Sequence, residues 1–108
     1  MQSWRRIYHP AYLKLRSDYD SRTRAWIEVK EDLVCANPLA WPPLKGTGFI
    51  RRYKGGKLRI LYALSTERPD LWEDPPEGSE LAFLHFDMRD ERTYKEALTF
   101  LRRNRLID

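Results

Sequence analysis

The chain has 108 residues, enough for one modest hydrophobic core and too few for two. No apolar run approaches the ~18 residues that span a bilayer and no signal peptide opens the chain, so no membrane is expected as a partner and the cytoplasm is the expected compartment. One cysteine, Cys35, excludes an intrachain disulfide and a cysteine-rich zinc site, and the net charge of +4 hides a strongly uneven distribution.

Ser3–His9 is rich in aromatic and β-branched residues and stops at Pro10, the pattern of a first strand with His9 as its end or as a helix cap. Residues 10–17 suit a short helix opened by proline, with Tyr12, Leu13 and Leu15 as candidates for burial. Asp18, Asp20 or Ser21 can cap a second helix over 21–36. Trp26, Val29, Leu33 and Ala36 recur at helical spacing and read as its core-facing stripe, with Cys35 as a small buried hydrophobe. Asn37-Pro38 ends this helix, because the residue before proline is pushed out of the α region. Leu39–Pro43 is a stiff connector whose Trp41 either caps the core or belongs to a partner surface.

The most informative stretch is Lys45–Tyr62, with six basic residues (Lys45, Arg51, Arg52, Lys54, Lys57, Arg59) and no acid. Gly55-Gly56 predicts a two-residue hairpin turn between strands on either side. Alternation puts Leu58, Ile60, Tyr62 and Leu64 on one face and Lys57, Arg59, Leu61 and Ala63 on the other. In the preceding strand Arg52 and Lys54 share a face, with Arg51 and Tyr53 opposed to them. Like charges so grouped repel, and a polyanion relieves that repulsion.

Ser65–Glu80 is the opposite case: six acids and one base give it a net of −5, which leaves +9 on the rest of the chain. A basic domain with an acidic loop favours nucleic acid or a ribosome-like partner. The segment is too proline-rich and acidic for a buried element, so it reads as an exposed excursion between neighbouring antiparallel strands. Its Trp72 either packs back on the domain or is presented to a partner. Leu81–Asp87 is apolar on both faces and suits a central strand, on which alternation groups His85 with Phe83 and Asp87. A last helix reaches about Arg105 with Tyr94, Ala97, Leu98 and Leu101 as its apolar stripe, and Arg102, Arg103 and Arg105 suit its C-terminal dipole. The expected fold of residues 1–108 is one α+β domain: a small twisted antiparallel sheet, an N-terminal helical pair packed on one face and a C-terminal helix.

Leu44-Lys45-Gly46, then Arg52-x-Lys54, then Leu58-Arg59-Ile60-Leu61-Tyr62, and an apolar strand leading to Arg89 with Tyr94 five residues on, occur in that order. This ordered set resembles the RelE/ParE toxins of type II toxin–antitoxin systems, over nearly the whole chain from about Arg5 to Leu101. In its RelE-like branch the resemblance implies a ribosome-dependent, metal-independent mRNA endonuclease that inhibits translation, with no cofactor. It implies a cognate antitoxin, the ribosome and mRNA as partners, and a homodimer or a heterotetramer with the antitoxin as assembly. Carried residue by residue, the catalytic set is Arg52, Lys54, Arg59, Arg89 and Tyr94. Met88 stands where the family often has His, and the 65–80 excursion exceeds the family's short turn.

The chemistry can be read independently. Cleaving RNA through its own 2′-OH needs a base, charge stabilisation at phosphorus and an acid for the leaving oxygen. Clustered arginines serve the second need. Crowding among cations favours a neutral lysine, which makes Lys54 a candidate base. Tyr94 is a candidate base or acid, and His85 is a further candidate because imidazole titrates near neutrality. Lys45, Arg51 and Lys57 are candidates for RNA binding. With His9 and His85 the only histidines, the sequence argues against a two-His metal site. Two other readings stay open: a non-catalytic ParE-like toxin that poisons DNA gyrase, and a plain RNA-binding domain using Phe49 and Tyr53 as exposed aromatics.

Overall fold

The computed structural model describes residues 4–88 and 91–107, the side chains of residues 91–94, 96 and 97 apart. The chain runs β1 (Arg5–Tyr8), α1 (Pro10–Ser17), α2 (Ser21–Ala36), β2 (Arg51–Gly55), β3 (Leu58–Leu64), β4 (Glu80–Met88) and α3 (Glu91–Arg103). The four strands form one sheet in the order β1-β4-β3-β2. The fold is α+β, with the helical pair first and one helix last. Strands β2, β3 and β4 are antiparallel as expected, whereas β1 joins β4 in parallel, so the sheet is mixed. The whole α1–β3 segment serves as the long crossover that a parallel pair requires.

Each sheet face buries its own core. Tyr12, Ile27 and Val34 of the helical pair pack on Tyr53, Leu58, Ile60, Tyr62, Leu64, Phe83 and Phe86. On the other face Leu101 and Phe100 of α3 cover Leu61, Ala63, Ala82 and Leu84, with Leu44 and Ile50 alongside. Of the expected α3 stripe, Leu101 is fully buried and Leu98 half-buried, while the side chains of Tyr94 and Ala97 lie outside the described residues.

The α2 stripe differs from the expectation. Trp26, Val29, Leu33 and Ala36 face outward, and Lys30 lies over the Trp26 ring. Ile27, Glu31 and Val34 face the core instead. The two stripes share the same helical period, and the true one is interrupted by a carboxylate that hydropathy counts as polar. Glu31 is buried because it is fully occupied. Arg16 Nη1 donates to both its oxygens at 2.7 and 2.8 Å, and the phenols of Tyr12 and Tyr8 donate at 2.7 and 3.1 Å. Burial, with this carboxylate alongside, pushes both phenols up. A buried charge is tolerable only when it is paired and hydrogen-bonded in this way.

His9 caps α1: its Nδ1 accepts the Ala11 N–H at 3.1 Å, and Asp20 caps α2 through Thr23 N–H at 2.8 Å. Burial lowers the His9 pKa, and a protonated Nδ1 cannot accept. The folded value therefore lies below the unfolded value of about 6.5, so the unfolded chain binds more protons between the two. His9's contribution is complete above about pH 6.5 and is lost as pH falls through the folded value. Urea unfolding at pH 7.5 and pH 5 should show a smaller acid loss in His9→Asn, which keeps a cap acceptor without titrating. Equal acid losses in both proteins would clear His9 of this role.

The hairpin turn falls one residue later than expected, at Gly56-Lys57, with Gly55 paired to Leu58 inside the ladder. Gly56 takes the positive φ, 59°, which suits a turn with glycine first. Gly55 is required for a different reason: a Cβ there would fall inside the phenol of Tyr53. Residues 65–79 form the excursion between β3 and β4, with a 3-10 turn at Pro69–Leu71, while Glu80, expected in the excursion, opens β4 and is buried. The excursion folds back on the domain. Trp72 packs on the second core and donates its indole N–H to Glu80 Oε1 at 2.9 Å, and Glu67 and Asp70 pair with Arg51 and Arg68. Among the described residues no helix is long and apolar enough to cross a membrane.

Candidate functional site

The ladder brings the basic residues together in two adjacent cross-strand rows. Lys54 stands opposite Arg59, and Arg59 opposite Asp87. In the next row, Arg52 stands opposite Leu61, and Leu61 opposite His85. These residues alternate with Tyr53, Leu58, Ile60 and Phe86 of the first core, so they occupy the sheet face shared with α3. Among the described side chains of α3, Phe100 and Leu101 cover Leu61, Ala63, Ala82 and Leu84 on this face.

His85 reaches this face through a β-bulge. Leu61 pairs with His85 but the next residue, Tyr62, pairs with Phe83, so Leu84 is the extra residue on β4. A bulge turns two successive side chains to the same side. Leu84 and His85 both face the second core, and Phe83 turns into the first. The expected grouping of His85 with Asp87 holds, and that with Phe83 does not. The imidazole stacks on Phe100 at 4.7 Å between ring centroids, and its Nε2 lies 3.9 Å from Asp87 Oδ2.

The charges divide into two populations. Arg5, Arg6, Arg16, Arg51 and Arg68 each pair with a carboxylate. Among the described residues Arg52 and Lys54 make no side-chain hydrogen bond or ion pair, and Arg59 donates only to the carbonyls of Gly56 and Leu58, at 2.7 and 3.1 Å. Arg51 does not join this group. It lies on the opposite sheet face, 9% exposed, gripped by both oxygens of Glu67 at 2.8 and 2.6 Å, and its Nη1 donates to the Trp41 carbonyl at 2.7 Å. Sequence reading placed it with the RNA-binding residues because the acid that holds it is sixteen positions away, inside the acidic excursion. Lys57 is exposed at the turn, and exposed Lys45 lies at the rim of a pocket shared with Arg52 and Lys54. Arg89 and the side chain of Tyr94 lie outside the described residues; the backbone puts position 94 in the first turns of α3, just after β4.

Asp87 has no role in the sequence reading, and the Leu39–Pro43 connector has a role left open between core cap and partner surface. Asp87 stands beside His85 and opposite Arg59, and strand periodicity from His85 was the signal that could have nominated it. The Trp41-Pro42-Pro43 connector forms a wall next to Arg52 and Lys54. Tyr53, by contrast, is 4% exposed and packs edge-on against Trp41, so it is not an exposed aromatic for RNA. Among the described residues no group of three His, Cys, Asp or Glu side chains is placed to hold a metal ion. No family model, curated protein or solved structure matches the chain.

Chemically, the face offers clustered cations for a phosphate, an imidazole beside a carboxylate and, among the described residues, little negative charge of its own. Asp87 is the one carboxylate in the two rows.

Proposed function

We propose that the chain is a type II toxin of the RelE-like kind, a cytoplasmic endonuclease that cleaves mRNA on the ribosome without a metal and is neutralised by an antitoxin covering the cationic face. The observation that carries this reading is the set Arg52, Lys54 and Arg59 gathered on one sheet face, without a carboxylate partner among the described residues, next to His85 and Asp87. In this mechanism the 2′-oxygen of one nucleotide attacks the adjacent phosphorus. Lys54 or His85 takes the hydroxyl proton, Arg52 and Arg59 hold the two charged oxygens of the pentacoordinate phosphorus, and the bond to the 5′-oxygen breaks as that oxygen gains a proton. Tyr94 is the proposed source of that proton. The products are a 2′,3′-cyclic phosphate and a free 5′-hydroxyl.

Induction of the chain alone should stop incorporation of labelled amino acids before labelled thymidine. Recovered mRNA should carry 5′-hydroxyl ends within coding regions. Loss of replication first, with mRNA intact, would replace this reading with poisoning of a topoisomerase. Continued growth with RNA bound but uncleaved would leave an RNA-binding domain.

A further inference from the structure

Beside the cationic face, at the β2 edge, lies a pocket of about 440 Å³, within the range of small-ligand sites. It is lined by the apolar run Trp41, Pro42, Pro43 and Leu44 and by the basic residues Lys45, Arg52 and Lys54. Among the described residues no carboxylate lines it. We propose that this pocket is the subsite for one unpaired nucleotide of the RNA strand, its base against the Trp41–Pro43 wall and its phosphate on Arg52 and Lys54. The assignment rests on the reading of the neighbouring face as an RNA-cleaving site, and it names the part of the substrate that the cations alone do not recognise.

The wall is built to hold its shape before anything binds. Trp41 packs edge-on against Tyr53, with ring centroids 4.9 Å apart and planes at 63°. Its carbonyl accepts from Arg51, which Glu67 holds in turn. The Pro42 carbonyl accepts the Arg52 N–H at 3.3 Å, and the Leu44 N–H donates to the Ile50 carbonyl at 2.7 Å. At the start of the connector the Tyr62 phenol donates to the Pro38 carbonyl. The two prolines remove backbone freedom in between, so little entropy is left to lose on binding. An apolar lining beside two cations that have no carboxylate partner among the described residues matches a nucleotide, which has a π-face at one end and a charged phosphate at the other. An acidic peptide would satisfy the cations and leave the wall without a partner.

The probe is a fluorescent pentanucleotide of 2′-O-methyl RNA, which binds but cannot be cleaved, together with five versions each abasic at one position. Anisotropy titrations use the full chain without ribosomes. One abasic position should weaken binding by about 5-fold or more, the scale of losing one base–aromatic stack, and that penalty should vanish in Trp41→Ala. Arg52→Ala should weaken all six oligomers alike. If Trp41→Ala melts early, Pro43→Ser, at an exposed ring away from Tyr53, should reduce the same penalty. Equal affinity for all oligomers, or a penalty unchanged in every wall variant, overturns the subsite. A Trp41-dependent penalty with mRNA left intact on ribosomes sinks the cleavage reading alone. Cleaved mRNA without any abasic penalty sinks the subsite alone.

Discussion

Arg59→Ala is expected to lower cleavage of ribosome-bound mRNA by roughly 10²–10³-fold, the scale of losing one preorganised charge-stabilising donor. Arg59 sits in the middle of the Lys54–Arg59–Asp87 row, and its guanidinium is steered by the carbonyls of Gly56 and Leu58. Those two bonds occupy one nitrogen, Nη1, and leave the other donors of the fork for a phosphate. The fold should survive, since each bond to a carbonyl contributes only about 1 kcal/mol net. Arg59→Lys keeps the charge and loses the fork, so an intermediate rate is expected. Cleavage assays beside a circular dichroism melt check both halves. Undiminished cleavage would make Arg59 a bystander, and an unfolded variant would make it structural.

Glu31→Ala should have the largest effect on stability, about 3–5 kcal/mol, because it strands the Arg16 guanidinium and two phenols at a buried site. Against a total of about 5–15 kcal/mol for a domain, such a loss brings the chain close to unfolding at room temperature. Tyr12→Phe removes one hydrogen bond to the same carboxylate and should cost about 1.5–3 kcal/mol. Leu33→Ser, on the outward face of the same helix, should change stability by no more than about 0.5 kcal/mol. Urea titrations of the three variants decide the matter. A Leu33→Ser loss equal to that of Glu31→Ala would restore the outward stripe as the core face.

That contrast shows where the sequence was legible. The helices at 10–17 and 21–36, the basic hairpin and the apolar fourth strand follow from proline, capping residues and alternation, all of which act over a few neighbouring positions. Arg52, Lys54 and Arg59 share a face for the same reason. What stayed hidden depends on distant partners. Glu31 turns inward because Tyr8, Tyr12 and Arg16 satisfy it, Arg51, already opposed to Arg52 and Lys54 by alternation, has its charge taken up by Glu67, and Phe83 parts from His85 because Leu84 is one residue too many for the ladder. Hydropathy and periodicity carry no record of such partners. Gly55 sits in the ladder, outside the turn, where the Tyr53 ring occupies the space a Cβ would need.

The parallel pairing of β1 with β4 also sets an order of events in time. Arg5 meets Glu80 and Tyr8 meets Phe83, whereas β2 meets β3 across a two-residue turn. The difference is about five doublings of loop length, or roughly 3 kcal/mol more closure entropy for the first strand. The hairpin is therefore expected to nucleate early, and β1 has to wait until the chain has been made past residue 83. Arg52, Lys54 and Arg59 belong to the early part, so a nascent chain carries its cationic cluster before its sheet is complete. The amides of β1 should correspondingly be among the first sheet amides to exchange with deuterium.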